Sequence, residues 1–268
     1  MADWCAPIRT ALTQRSDPCT IFFRDDDAGW NDARLAALLD RFAAHAVPID
    51  LAVIPTALSR ALIRDLLKRI SIGDAVSLHQ HGYAHRNHET TGRKCEFGPS
   101  GSLVAQHIDI KTGRAVLGDI FGPLADPIFT PPWNRCTADT VSCLEALGFR
   151  ALSRDAGARP LAGTTLDELP VAVDWCKLRP PGSPPAALAE RIAGQIASEP
   201  VVGIMLHHAV MDDADLLLLD DLLPMLHANA RARCIPMRAL LPEVAPNMTN
   251  ISATAHPDPH RLFSERTP

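Results

Sequence analysis

Strand-like and helix-like segments alternate along most of this chain, and nothing else in the sequence limits the possible folds as strongly. Such alternation is the signature of repeated β-α units and a mainly parallel sheet. Residues 20–24 read as a first strand. A helix follows over 31–46, with Leu35, Leu38, Leu39 and Phe42 at helical spacing and Asn31 offering its side chain as cap. The unit repeats with a strand over 49–54, Pro55-Thr56 as punctuation and a helix over 58–70. A third strand spans 74–79, and a polar, Gly-rich stretch over 90–102 forms a candidate substrate rim. Residues 103–121 read as a helix interrupted by Gly113 and Gly118. The strand 128–130 runs into Pro131-Pro132-Trp133, and Thr137 caps a helix that Gly148 stops. Strands over 149–153 and 169–175, a helix over 186–198 and a strongly apolar strand over 201–206 come next. A helix over 213–230, kinked at Pro224, and a strand over 234–237 complete the pattern. Seven or eight strands with interleaved helices predict an α/β architecture, an irregular (β/α)7-8 barrel of mainly parallel strands, with a doubly wound open sheet as the alternative. With 268 residues, 47% of them hydrophobic, one core suffices: residues 1–245 read as a single domain and 246–268 as a polar, Pro-rich tail.

The formal charge of -5 and the lack of any Lys/Arg run exclude a nucleic-acid footprint. Seven cysteines without a CxxC pair fit reduced thiols better than a disulfide framework or a structural zinc site. The opening Met-Ala-Asp-Trp-Cys-Ala-Pro carries an acid where a secretory signal is basic, and no run is long and apolar enough to span a membrane. The expectation is a soluble, cytoplasmic protein with no membrane span. Its oligomeric state stays open.

In folds of this kind chemistry gathers at the carboxyl ends of the strands, and the unusual polar clusters fall there. Asp25-Asp26-Asp27 follows the first strand and His81-Gly-Tyr-Ala-His85 the third; Trp133, Asp174-Trp175 and His207-His208 follow later ones. A carboxylate and two imidazoles make a three-point seat for a catalytic divalent metal. Neighbouring aspartates on an extended segment point to opposite faces, so one binds metal while another takes protons. His81 and His85 share a face if the chain turns helical after the strand. His79 and His88 are weaker candidates, and His45, His107, His227, His256 and His260 read as surface residues. His207 closes a buried strand, which suits a general acid, whereas His208 points the other way as a satisfied core histidine. Pro131-Pro132 fixes the backbone so that the Trp133 amide can face an oxyanion, with Trp133 and Trp175 as pocket walls.

This pattern resembles the polysaccharide deacetylase superfamily, the NodB-homology or carbohydrate esterase 4-like group. Its Asp-Asp motif is similar to Arg24-Asp25-Asp26-Asp27 and its His-x-x-x-His motif to His81-Gly-Tyr-Ala-His85. Thr130-Pro131-Pro132-Trp133 resembles the Arg-Pro-Pro motif, Asp174-Trp175 the late Asp-Trp element, and Met205-Leu206-His207 the Leu-x-His element. The resemblance implies Asp27, His81 and His85 as metal ligands, Asp26 as base and His207 as acid. A slip of one residue in the triplet makes Asp25 the base and Asp26 the ligand. The arginine that orients the base in the family is Thr130 here, leaving Arg24 or Arg135 as substitutes. Zinc is the metal implied, though the ligand set accepts other transition metals. The activity implied is metal-dependent removal of an acetyl group from an N-acetylated sugar or glycan precursor. Hydrolysis of a non-sugar amide or cyclic imide, or a catalytically silent carbohydrate-binding member of the fold, are the alternatives.

Overall fold

Each apolar run of the alternating pattern becomes a strand of one parallel sheet in the computed structural model, which describes residues 3–243. In chain order the elements are α1 (Ala6–Thr13), β1 (Cys19–Ala28), α2 (Asp32–Ala44), β2 (Ile49–Val53), α3 (Arg60–Ser71), β3 (Val76–His81), α4 (Leu103–Phe121), β4 (Ala125–Thr130) and α5 (Ala138–Ala146). They continue with β5 (Ala151–Leu152), β6 (Asp167–Glu168), β7 (Val173–Asp174), α6 (Trp175–Leu178), α7 (Ala186–Ser198), β8 (Val201–Leu206), α8 (Asp213–Ala228) and β9 (Ala232–Cys234). The strands pair in the order β6-β5-β4-β3-β2-β1-β8-β7, and β9 pairs with the start of β1. The sheet curls into a half-barrel, so the irregular barrel forms rather than the flat doubly wound sheet. The tail expected over 246–268 lies outside the described residues.

The centre of the sheet is β1. Ile21, Phe22 and Phe23 are fully buried, as a strand covered on both faces requires. β8 pairs along one edge of it from Thr20 to Asp25, while β9 and then β2 share the other. Ser59 caps α3 by accepting the Leu62 N–H, and Thr137 and Thr140 form a capping box at α5. These caps satisfy amides that the helices cannot use internally.

Several local expectations give way to tertiary context. Asn31 makes no side-chain cap and takes a left-handed conformation. Helix α4 runs unbroken through Gly113 and Gly118. Gly113 is there for clearance, since a Cβ would lie 2.4 Å from Gln80 Nε2 on β3 and 3.0 Å from Pro55. The runs 149–153 and 169–175 shorten to the two-residue strands β5 and β7, and Trp175 opens α6 instead of ending a strand. An additional helix, α1, packs its buried Ile8 and Leu12 into the main core.

Asp50 on β2 is fully buried, and both its oxygens accept the Met237 N–H, at 3.1 and 3.0 Å. Burial pushes its carboxyl up to about 8, against the single backbone donor that lowers it. The folded state therefore holds a proton that the unfolded chain releases. That contribution is complete below the ordinary value of 3.8 and is lost as pH rises through about 8. Asp50→Asn, neutral at every pH, is expected to remove a slope of about 1.4 kcal/mol per pH unit from the stability profile. Thermal melts of both proteins between about pH 6 and pH 8 check this, and parallel Tm curves would contradict it.

Candidate active site

The aspartate triplet resolves into three different environments because β1 alternates and then breaks. Arg24 and Asp26 share one face, while Asp25 points to the other, where it accepts the His208 N–H at 2.9 Å and the His208 Nδ1–H at 2.6 Å. The His208 Nε2–H donates to the Trp30 carbonyl at 2.6 Å, so both ring nitrogens carry protons. Burial disfavours that charge, but Asp25 outweighs it and lifts His208 to about 9. His208 is thus the satisfied core histidine expected, and Asp25 is spent on it.

Strict alternation would turn Asp27 away with Asp25. Instead the register with β2 shifts between Asp25 and Ala28, and Asp27 takes φ 70, a local bulge that re-aims its carboxylate. Asp27 Oδ1 lies 3.2 Å from His81 Nε2 and 3.1 Å from His85 Nε2. One ligand atom from each of the three residues falls within 4.8 Å of the others, a group that could hold a metal ion. The His81 Nδ1–H donates to the Thr130 carbonyl at 3.0 Å, which fixes the tautomer with Nε2 toward the aspartate. Burial and the neighbouring His81 push His85 down to about 4, whereas Asp27 and Asp26 raise His81 in spite of its burial. The donor set suits a transition metal.

The histidines do not converge through a helical turn. His81 is the last residue of β3, and the chain then turns at Gly82 (φ 55) and again at His85 (φ 51). Glu96, from the stretch expected to form the rim, reaches under this loop and accepts the amides of Tyr83, Ala84 and Arg86 at 3.2, 2.8 and 3.4 Å. A Cβ on Gly82 would sit 2.2 Å from Glu96 Oε2 and 2.6 Å from Pro132, so only glycine fits. Trp133, at φ 57 on the turn after β4, packs its ring against His85 with centroids 4.5 Å apart, and Trp30 flanks the same imidazole at 4.7 Å.

Asp26 is buried and bound on both oxygens by Arg24, Nε to Oδ1 at 2.8 Å and one terminal nitrogen to Oδ2 at 2.9 Å. Burial alone would raise this carboxyl, but Arg24, His81 and His207 together bring it down to about 2. The guanidinium that meets Asp26 thus comes from its own strand. Arg135 does not substitute, since it donates to the Lys94 carbonyl instead. Thr130 Oγ1 and His79 Nε2 hydrogen-bond each other at 2.8 Å, and His88 is exposed. His207 follows β8 with its Nε2 3.8 Å from Asp26 Oδ2, and at 26% side-chain exposure it is reachable rather than buried. Trp133, Asn134, Asp174 and His207 line a cavity of about 860 Å³. Trp175 is no wall of it: it is fully buried, and its Nε1–H donates to Asp215 at 2.7 Å.

Neither a family model nor a curated protein matches this sequence. Solved structures do. A protein from Mycobacterium smegmatis provisionally described as a polysaccharide deacetylase aligns with 85% of this chain and 90% of its own, at 13% identity and a TM-score of 0.63. The fold is that of the polysaccharide deacetylases. A family 4 acetyl xylan esterase from Clostridium thermocellum, solved with a cobalt ion, covers 82% of this chain and 89% of its own at 14% identity and a TM-score of 0.57. A family 4 pseudoenzyme from Bacillus anthracis covers 85% and 67% at 13% identity and a TM-score of 0.56. This deacetylase fold therefore occurs with and without activity, and the side chains of each member decide which.

The sequence left Glu96, Asn134 and Ser153 unmarked, because each acts by a hydrogen bond to a distant segment. Replacing Asp27 by Asn or His81 by Ala is expected to weaken zinc or cobalt binding by more than about 100-fold in equilibrium dialysis. Gly82→Ala is expected to cost at least about 1 kcal/mol in urea unfolding, because it strains a positive φ and collides with Glu96.

Proposed function

We propose that this protein is a metal-dependent hydrolase that removes an acetyl group from an N-acetylated sugar or glycan precursor. One observation carries the reading: Asp26, clamped by Arg24, stands between the Asp27, His81 and His85 group and the reachable His207 at the mouth of a cavity. Asp27, His81 and His85 hold the metal, with zinc the first choice for two imidazoles and a carboxylate. When bound, the metal supplies Lewis acidity and an acidified water.

The residues of the chain divide the remaining work. Asp26 is ionised across the physiological range, and its Oδ2 takes the proton of the attacking water. At about 2 it is a weak base by itself, so the water must be acidified for the transfer to proceed. The Trp133 N–H steadies the oxyanion that develops on the acyl group. His207 gives a proton to the departing amine, and acetate and a free amine leave. Trp133 and Trp30 pack around His85 and keep bulk water from that side.

With Thr130 in the place of the family's arginine, Arg24 holds Asp26 from the same strand. Asp26→Asn in zinc-loaded protein is expected to lower kcat by at least about 10³-fold while metal content stays at one per chain. Acetate release from a panel of N-acetylated sugars, with elemental analysis alongside, measures both. Turnover surviving in this variant would sink the assignment.

Arg24 acts through Asp26 and is a positioning residue. In Arg24→Gln the carboxylate loses its cation, so its pKa rises and the acid limb of the pH-rate profile moves to higher pH. Because a buried charge loses its partner, stability is expected to fall by about 3–5 kcal/mol as well. An acid limb that stays in place would show that Arg24 is only structural.

A further inference from the structure

The cavity in front of the site reverses the charge of the rest of the chain. The whole sequence has 26 Lys and Arg against 31 Asp and Glu. The cavity lining instead contains Arg93, Arg135, Arg154, Arg159 and Lys177 against Glu89, Asp155 and Asp174. The acids already have donors. Glu89 accepts from Ser100, Asp155 from the Gly157 N–H, and Asp174 from the Lys177 N–H. Of the cations, Arg154 is paired with Glu168. Among the described residues, the side chains of Arg93, Arg159 and Lys177 have neither hydrogen-bond nor ion-pair partners, and Arg135 donates only to one carbonyl.

Two of these cations act on each other. Arg93 and Arg135 line the same cavity, and burial and then the charge of Arg93 lower the Arg135 pKa. Like charges held together in a concave, partly desolvated wall are a cost unless an anion joins them. Arg135 is also only two residues beyond Trp133, whose ring touches His85. The unrelieved charge therefore lies along the path to the reacting centre. Guanidinium forks match the geometry of phosphate and carboxylate better than that of neutral hydroxyls.

We infer that the substrate of this site carries an oxyanion, a phosphate or a carboxylate, beside the amide to be cleaved, and that Arg93 and Arg135 receive it. This rests on the amide-hydrolase reading above and narrows its substrate to anionic N-acyl sugars. The rim then both steers the substrate in and fixes which end faces Asp26.

The test compares zinc-loaded protein on three probes: N-acetylglucosamine, its 6-phosphate, and N-acetylmuramate, which carries a carboxylate. At least one charged probe is expected to exceed the neutral sugar in kcat/KM by about tenfold or more, and which one does so separates phosphate from carboxylate. In the Arg93→Gln/Arg135→Gln double variant, and more weakly in Arg93→Gln alone, that ratio falls toward one. The change lies mainly in KM, and added salt weakens the preference. Equal rates on charged and neutral probes, or a preference that survives both substitutions, would overturn the anion site and leave amide hydrolysis standing. Absence of turnover on all three counts against the hydrolase instead. Calorimetric titration with inorganic phosphate then decides the inference separately: saturable binding that the double variant loses supports it, and no binding overturns it.

Discussion

A guanidinium and a carboxylate buried together on one strand organise this molecule. Taking Arg24 and Asp26 out of water costs several kcal/mol per ion, and only a complete set of partners repays it. The structure provides that set. Besides both Asp26 oxygens, Arg24 donates to Ser153 Oγ at 2.7 Å and to Asn134 Oδ1 at 2.7 Å, and it contacts the Met205 sulfur at 2.9 Å. Those partners follow β5, follow β4 and sit on β8, so one charged side chain gathers the carboxyl ends of four strands. Ser153 in turn donates to the Leu169 carbonyl at 2.6 Å, extending the network to the end of β6.

The same logic explains where the backbone is strained. Among the described residues six that are not glycine have positive φ, and Asp27, His85, Trp133 and Asn134 are four of them. Each such residue costs of order 1–3 kcal/mol and persists only where its surroundings over-determine it. Here the surroundings are the bulge against β2, the three amides accepted by Glu96, the fixed Pro131-Pro132 pair and the hydrogen bond from Arg24 to Asn134. Strain concentrated around one constellation is what a preorganised site requires. The pseudoenzyme on the same fold shows why such detail outweighs the fold itself in arguing activity.

Elements with strong internal periodicity were legible residue by residue. Helix α7 and strand β8 begin and end where the pattern places them, because their apolar runs are decided locally. The strands β5, β6 and β7 were not, since a strand ends where its neighbour stops pairing rather than where its own apolar run stops. The histidine pair shows the same limit. Spacing of four suggested a helical face, yet Gly82 turns the chain and Glu96 takes the amides that a helix would have used internally. Trp175 looked like a pocket wall by its place after an aspartate, and the acceptor Asp215, far along the chain, draws it into the core.

By itself the sequence determined the β-α alternation, the position of the polar clusters at strand ends, and the residue types able to hold a metal and move protons. These are properties of local spacing and side-chain chemistry. Only the tertiary structure decided which surroundings each aspartate meets. Asp25, Asp26 and Asp27 are chemically identical, and they differ because one meets His208, one meets Arg24 and one is turned by a bulge onto two imidazoles. Identical carboxylates acquire separate roles only from neighbours that long loops bring to them, and no local pattern encodes those neighbours.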